Sequence, residues 1–93
     1  MSDTFRQVRA SDVEAALQSA LAPVTLVVRD DSALHAGHAG ASEGSHFAVT
    51  MVSPHFAGLN RVARHRLVYH ALALLMPQGI HALAIDARAP GEV

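Results

Sequence analysis

Apolar residues recur at Val13, Ala16, Leu17, Ala20 and Leu21, the three-and-four spacing that lines one side of an α-helix. Just ahead, Ser11-Asp12-Val13-Glu14 has the form of a capping box, in which a serine oxygen and a glutamate carboxylate each take a free amide of the first turn. A helix is expected to start there, with the preceding residues extending it or fraying, and to stop at Ala22-Pro23, because the residue before proline is displaced from the α region. Val24 to Arg29 is β-branched and bounded by turn residues, which predicts a strand with Leu26 and Val28 on one face. His46 to Val52 alternates, with Phe47, Val49 and Met51 inward and His46, Ala48 and Thr50 outward, and forms a second strand antiparallel to the first. Ser53-Pro54 breaks this strand, Phe56 is an expected anchor, and Asn60 is a suitable N-cap for a second helix reaching about Met76, where Pro77 and Gly79 end it. On that helix Leu67, Val68, Ala71, Leu72, Leu74 and Leu75 share a broad apolar side, so most of it should be buried, while Arg66, Tyr69, His70 and Ala73 face away. Ile80 to Ala87 alternates again, with His81, Leu83 and Ile85 on one face, and Ala89-Pro90-Gly91 reads as a frayed end.

The predicted order is α-β-β-α-β, an α+β architecture with a three-stranded mixed sheet packed against helices. A strand-helix-strand crossover almost always joins parallel strands, so the third strand should run parallel to the second or its neighbour. Their N-terminal ends then share one edge of the sheet. Residues 32–45 hold four Ala, three Gly, three Ser and two His with no β-branched or aromatic residue, so they form a long loop that empties at that same edge. His35 and His38 of the loop, His46 at the head of the second strand and His81 at the head of the third would form one imidazole-rich rim.

Composition narrows the functions available. Ninety-three residues allow a single domain, 1–93, with residues 1–10 as an N-terminal extension and 88–93 as a tail. A hydrophobic content of 51% with only 16% charged residues and a mean hydropathy of +0.23 supports a compact core, yet a chain this small keeps little apolar area to line a deep pocket. Seven Arg, no Lys and a net charge of −1 supply no strong field for nucleic acid. With no cysteine, the chain offers no disulfide, no thiolate nucleophile and no metal site of its own sulfur. No apolar run approaches a membrane span and the first residues lack the basic and apolar regions of a signal peptide, so a cytoplasmic location without membrane contact is expected.

Histidine is the exception in this composition, with seven residues. His35-Ala36-Gly37-His38 sets two imidazoles three apart in a Gly-flanked loop, which permits chelation without enforcing it. His81 follows Gly79 at the head of a strand and converges on that loop. His46 could ligate, but its place next to the core residue Phe47 favours a structural role; His65 and His70 read as surface or packing residues, and His55 carries no specific signal. Arg61, Arg64, His65 and Arg66 are a basic cluster in the first half of a helix, where cations oppose the macrodipole. They contact either phosphates or carboxylates such as Asp30, Asp31 or Glu92, and the net charge favours the carboxylates or a protein partner. Ser45-His46 adjacency builds no nucleophile and base, because successive strand residues point to opposite faces, so the chain is not read as an enzyme.

Several of these segments, in this order, resemble the BolA family: Leu21-Ala22-Pro23, Val28-Arg29-Asp30-Asp31-Ser32, His35-Ala36-Gly37-His38-Ala39-Gly40, Ser45-His46-Phe47, Val52-Ser53, Phe56-Ala57-Gly58, Arg64-His65-Arg66-Leu67-Val68 and Ile80-His81-Ala82-Leu83. The resemblance runs from about Val13 to Ala89 and implies a fold like a type II KH domain. It also implies a partner of monothiol glutaredoxins that shares a [2Fe-2S] cluster in a heterodimer and acts in cluster trafficking or iron sensing, with no cluster in the isolated chain, a monomer or weak homodimer. Carried over, the ligands are His35 of the loop and His81, with His38 as an alternative loop ligand, while the glutaredoxin and its glutathione supply sulfur. Imidazoles in place of thiolates would raise the reduction potential, as in Rieske centres. DNA binding through Arg61, Arg64 and Arg66, in a transcriptional regulator, is the alternative the family also suggests.

Overall fold

The computed structural model describes residues 8–31 and 45–92. Helix α1 spans Ala10–Leu21, strand β1 Thr25–Asp30, β2 Ser45–Val52, helix α2 Arg61–Ala71 and β3 Ile80–Arg88, with 3-10 turns at Pro54–Phe56 and Met76–Gln78. The strand order is β1-β2-β3, with β1 antiparallel and β3 parallel to the central β2. The α-β-β-α-β order and the mixed sheet are those expected from the pattern.

α1 begins earlier than expected. Its N-cap is Arg9, whose backbone amide donates to the Asp12 carboxylate at 2.8 Å, so the reciprocal acid of the first turn is Asp12 and not Glu14. Val8 before the cap and Val13 are both buried in the core, the two positions of a hydrophobic staple, and that apolar pair sets where the helix starts. Val8 and Ala10 therefore belong to the domain and are not a loose extension. Val13, Leu17 and Leu21 face inward as the spacing required. Ala22 leaves the helix in the left-handed region at φ 43°, so the exit is a left-handed cap and not the extended geometry favoured before proline.

The core gathers α1, the inner face of the sheet and the Phe56 anchor. Phe47, Val49 and Met51 of β2 and Phe56 are at most 2% exposed, and Leu26 and Val28 pack against them half-buried, while Val27 on the opposite face of β1 is 63% exposed. Ser53 is fully buried and bonded on every side: its hydroxyl donates to the Leu21 carbonyl at 2.7 Å, its oxygen accepts from the His55 amide at 3.2 Å, and its own amide donates to the Arg88 carbonyl at 2.9 Å. One side chain thus satisfies a terminal carbonyl of α1 and opens the turn that seats Phe56.

α2 is shorter and more exposed than its apolar pattern predicts. Asn60 caps it as expected, accepting from the Ala63 amide at 2.9 Å. Regular helix stops at Ala71, five residues before Met76, because the chain tightens into three-residue steps, with Ala73 bonded to His70, Leu75 to Leu72 and Gln78 to Leu75. Pro77 lacks an amide to continue the four-residue ladder. Val68 and Leu72 are fully buried, but Leu74, assigned to the core by the helical wheel, is swung out to 84% exposure.

Phe56→Ala should destabilise the fold by about 3–5 kcal/mol, while Val27→Ala stays within about 0.5 kcal/mol, as measured by urea unfolding.

Candidate functional site

Parallel pairing of β2 with β3 sets the heads of both strands at one end of the sheet, beside the N-terminus of α1, where a Cβ on Gly79 would lie 4.0 Å from the Val8 side chain. The pairing does not advance evenly. Ser45 pairs with Ile80, but the next residue, His46, pairs with Ala82, so His81 is an extra residue in β3. Such a bulge kinks the strand and re-aims the side chain it carries. Ile80 turns into the core at 6% exposure while His81 is exposed. This corrects the expectation that His81 shares the inner face of Leu83 and Ile85: strict alternation would have pointed the imidazole at the core, and the bulge frees it.

Across the strands, the rings of His46 and His81 lie with centroids 5.2 Å apart and planes tilted by 48°. His46 is half-buried, and its carbonyl accepts the Asp31 amide at 2.7 Å, which extends the β1–β2 ladder past Asp30. Asp31, His46, Ala82 and Ala84 line a shallow cleft of about 270 Å³ together with Phe47 and Leu83. The Asp31 carboxylate is held by Arg29 through two hydrogen bonds of 2.6 and 2.9 Å. The predicted meeting of His46 and His81 at one edge is therefore present. His35 and His38 lie outside the described residues. Among the described residues no group of three or more His, Cys, Asp or Glu side chains is arranged to hold a metal ion.

Of the partners expected for the basic cluster, Arg64 takes a carboxylate, that of Glu92. The Arg64 guanidinium turns into the fold, with its side chain 13% exposed, and donates to the carbonyls of Leu59 at 2.8 Å and Ala87 at 3.1 Å. It grips the Glu92 carboxylate at 2.5 and 2.8 Å. Glu92 also accepts the Ala89 amide at 2.9 Å, and Ala89 is 5% exposed, so the segment read as a frayed tail is folded back and tied down through residue 92. The sequence named Glu92 among the possible partners of these arginines, but the alanine, proline and glycine before it masked the turn. Arg61 and Arg66 are exposed. Arg61 and His65 line an open groove of about 520 Å³ in which Arg64 pairs with Glu92 and Arg88 with Asp86. Arg64 is thus engaged within the fold, and Arg61 and Arg66 are the exposed arginines of the three.

Comparison with known proteins decides the family. The pattern of BolA-like proteins matches residues 17–92. This chain belongs to the BolA-like family. The chloroplastic protein BOLA1 of Arabidopsis thaliana is 48% identical over 88 residues, covering 90% of this chain and 55% of that protein, so the chain spans about half the length of that relative. Among solved structures, BolA1 from Arabidopsis thaliana superposes with a TM-score of 0.79 at 46% identity, covering 95% of this chain and 98% of that one. The BolA domain of SufE1 from the same plant gives 0.81 at 42% identity, covering 95% and 99%. These BolA-like structures share the two helices and three-stranded mixed sheet. Among the described residues no helix is long and apolar enough to cross a membrane. One relative bears a chloroplastic name, so the expected cytoplasmic location does not follow from the family.

The Arg64 guanidinium, and then the Ala89 amide, hold the Glu92 carboxyl down from its ordinary 4.5 to about 2. A carboxyl lowered on folding stabilises the fold above 4.5, and that contribution disappears as pH falls towards about 2. Urea unfolding across this range should show the native protein losing stability on acidification more steeply than Glu92→Gln, the two converging at the acid end.

Proposed function

We propose that this BolA-like chain is a non-enzymatic adaptor that binds a monothiol glutaredoxin and shares a [2Fe-2S] cluster with it, in iron–sulfur cluster trafficking or iron sensing. Membership of the family and the likeness to the BolA domain of SufE1 point to a role in iron–sulfur pathways. The single observation that carries the finer reading is the bulge at His81, which lifts an imidazole out of the core face and exposes it at the end of the sheet, within reach of another protein. A neutral imidazole nitrogen is a fitting donor to iron whose other ligands are sulfur. The chain has no cysteine, so the thiolates would come from the glutaredoxin and its glutathione. His81 supplies one nitrogen, and His35, or His38 in its place, supplies the second from the connection between β1 and β2.

Adding the protein to a glutaredoxin dimer loaded with iron, sulfide and glutathione should change the visible spectrum of its cluster, and His81→Ala should abolish the change. An unchanged spectrum with the native chain, or the same change with His81→Ala, overturns the reading. Electron paramagnetic resonance of the reduced complex should show nitrogen coupling that is diminished in His81→Ala and in one of His35→Ala and His38→Ala.

A further inference from the structure

The two imidazoles that meet at the sheet end rest on backbones of unequal firmness. His46 belongs to the central strand: its carbonyl accepts from Asp31, its Cα pairs with Ala82, and the next residue, Phe47, is 2% exposed in the core. His81 belongs to an edge strand, is the extra residue of a bulge, and carries an exposed side chain. An exposed side chain on an irregular edge visits several rotamers, and each must be given up when a second protein captures the ring. At 5.2 Å between centroids and a 48° tilt, the His46 ring is close enough to narrow that choice.

We infer that His46 is a positioning residue: a ring fixed by the central strand that holds the His81 imidazole in the orientation in which it meets the partner's iron, without bonding the iron itself. The inference rests on the adaptor reading given above. Residues that orient a metal-bound histidine commonly set its affinity, because the ring must present one nitrogen along one direction. The two side chains meet ring against ring, and a ring of similar breadth at 46 should preserve that contact. Proximity of two histidines would otherwise suggest two ligands, and this is what the experiment must separate.

His46→Ala removes the ring, and His46→Phe keeps a ring of similar breadth with no nitrogen. In the chain alone, with no iron present, carbon-13 relaxation of the His81 ring should show increased motion in His46→Ala and little change in His46→Phe. With a cluster-loaded monothiol glutaredoxin, His46→Ala should weaken formation of the mixed complex about tenfold, and His46→Phe should stay within about twofold of the native chain. A His46→Ala protein whose His81 ring is as ordered as in the native chain overturns the proposal, as does a looser ring with undiminished complex formation. If His46→Phe is as damaging as His46→Ala and nitrogen coupling falls in both, His46 is a ligand and the positioning role is wrong. Thermal unfolding of both variants shows whether a loss reflects misfolding, and His46→Phe keeps the test open if the alanine variant is unstable. Should the native chain itself leave the glutaredoxin spectrum unchanged, the adaptor reading fails, while ring motion still reports on the His46–His81 contact.

Discussion

The parallel ladder between β2 and β3 is the constraint on which the molecule depends. Phe47, Val49 and Met51 must all face the core, and a slip of one residue in either strand would turn an apolar set to solvent. Burial along the middle of the ladder therefore dictates what happens at its head. The mismatch is taken up between Ser45 and His46, where β3 carries one residue more than β2. Ile80 keeps its place in the core and the surplus residue is expelled to the surface. Packing at the centre of the sheet and accessibility at its end are one solution to one geometric problem.

The opposite end of the sheet is closed with polar chemistry. Ser53 joins the last turn of α1 to the turn that seats Phe56 and to the end of β3, so three elements meet at one hydroxyl and one amide. Arg64 does the same for the chain after β3, linking the carbonyls of Leu59 and Ala87 to the carboxylate of Glu92. Both devices satisfy backbone groups that would otherwise be buried without partners, the condition under which side-chain hydrogen bonds contribute most. They also help a domain of this size hold a defined shape without disulfides.

Much of this was legible in the sequence, for identifiable reasons. Alternation in Phe47, Val49 and Met51 and the cap at Asn60 report local preferences that the fold honours, and the crossover rule then places His46 beside His81 without further information. The misses share a cause, which is that local pattern was overruled by where the chain had to go next. Leu74 continues a helical stripe, yet the chain must turn towards β3 before reaching Pro77, and the stripe is broken. His81 continues a two-residue alternation that a bulge interrupts, and no residue type announces a bulge of this kind. Glu92 sits behind a proline and a glycine that speak of a loose end, and only the distant Arg64 makes it otherwise.

The connection from Asp31 to Ser45 leaves and re-enters the domain at the histidine end, remote from Ser53 and Glu92. The placing of the imidazole at 81 is a by-product of how the sheet packs, and whatever preserves that packing preserves it.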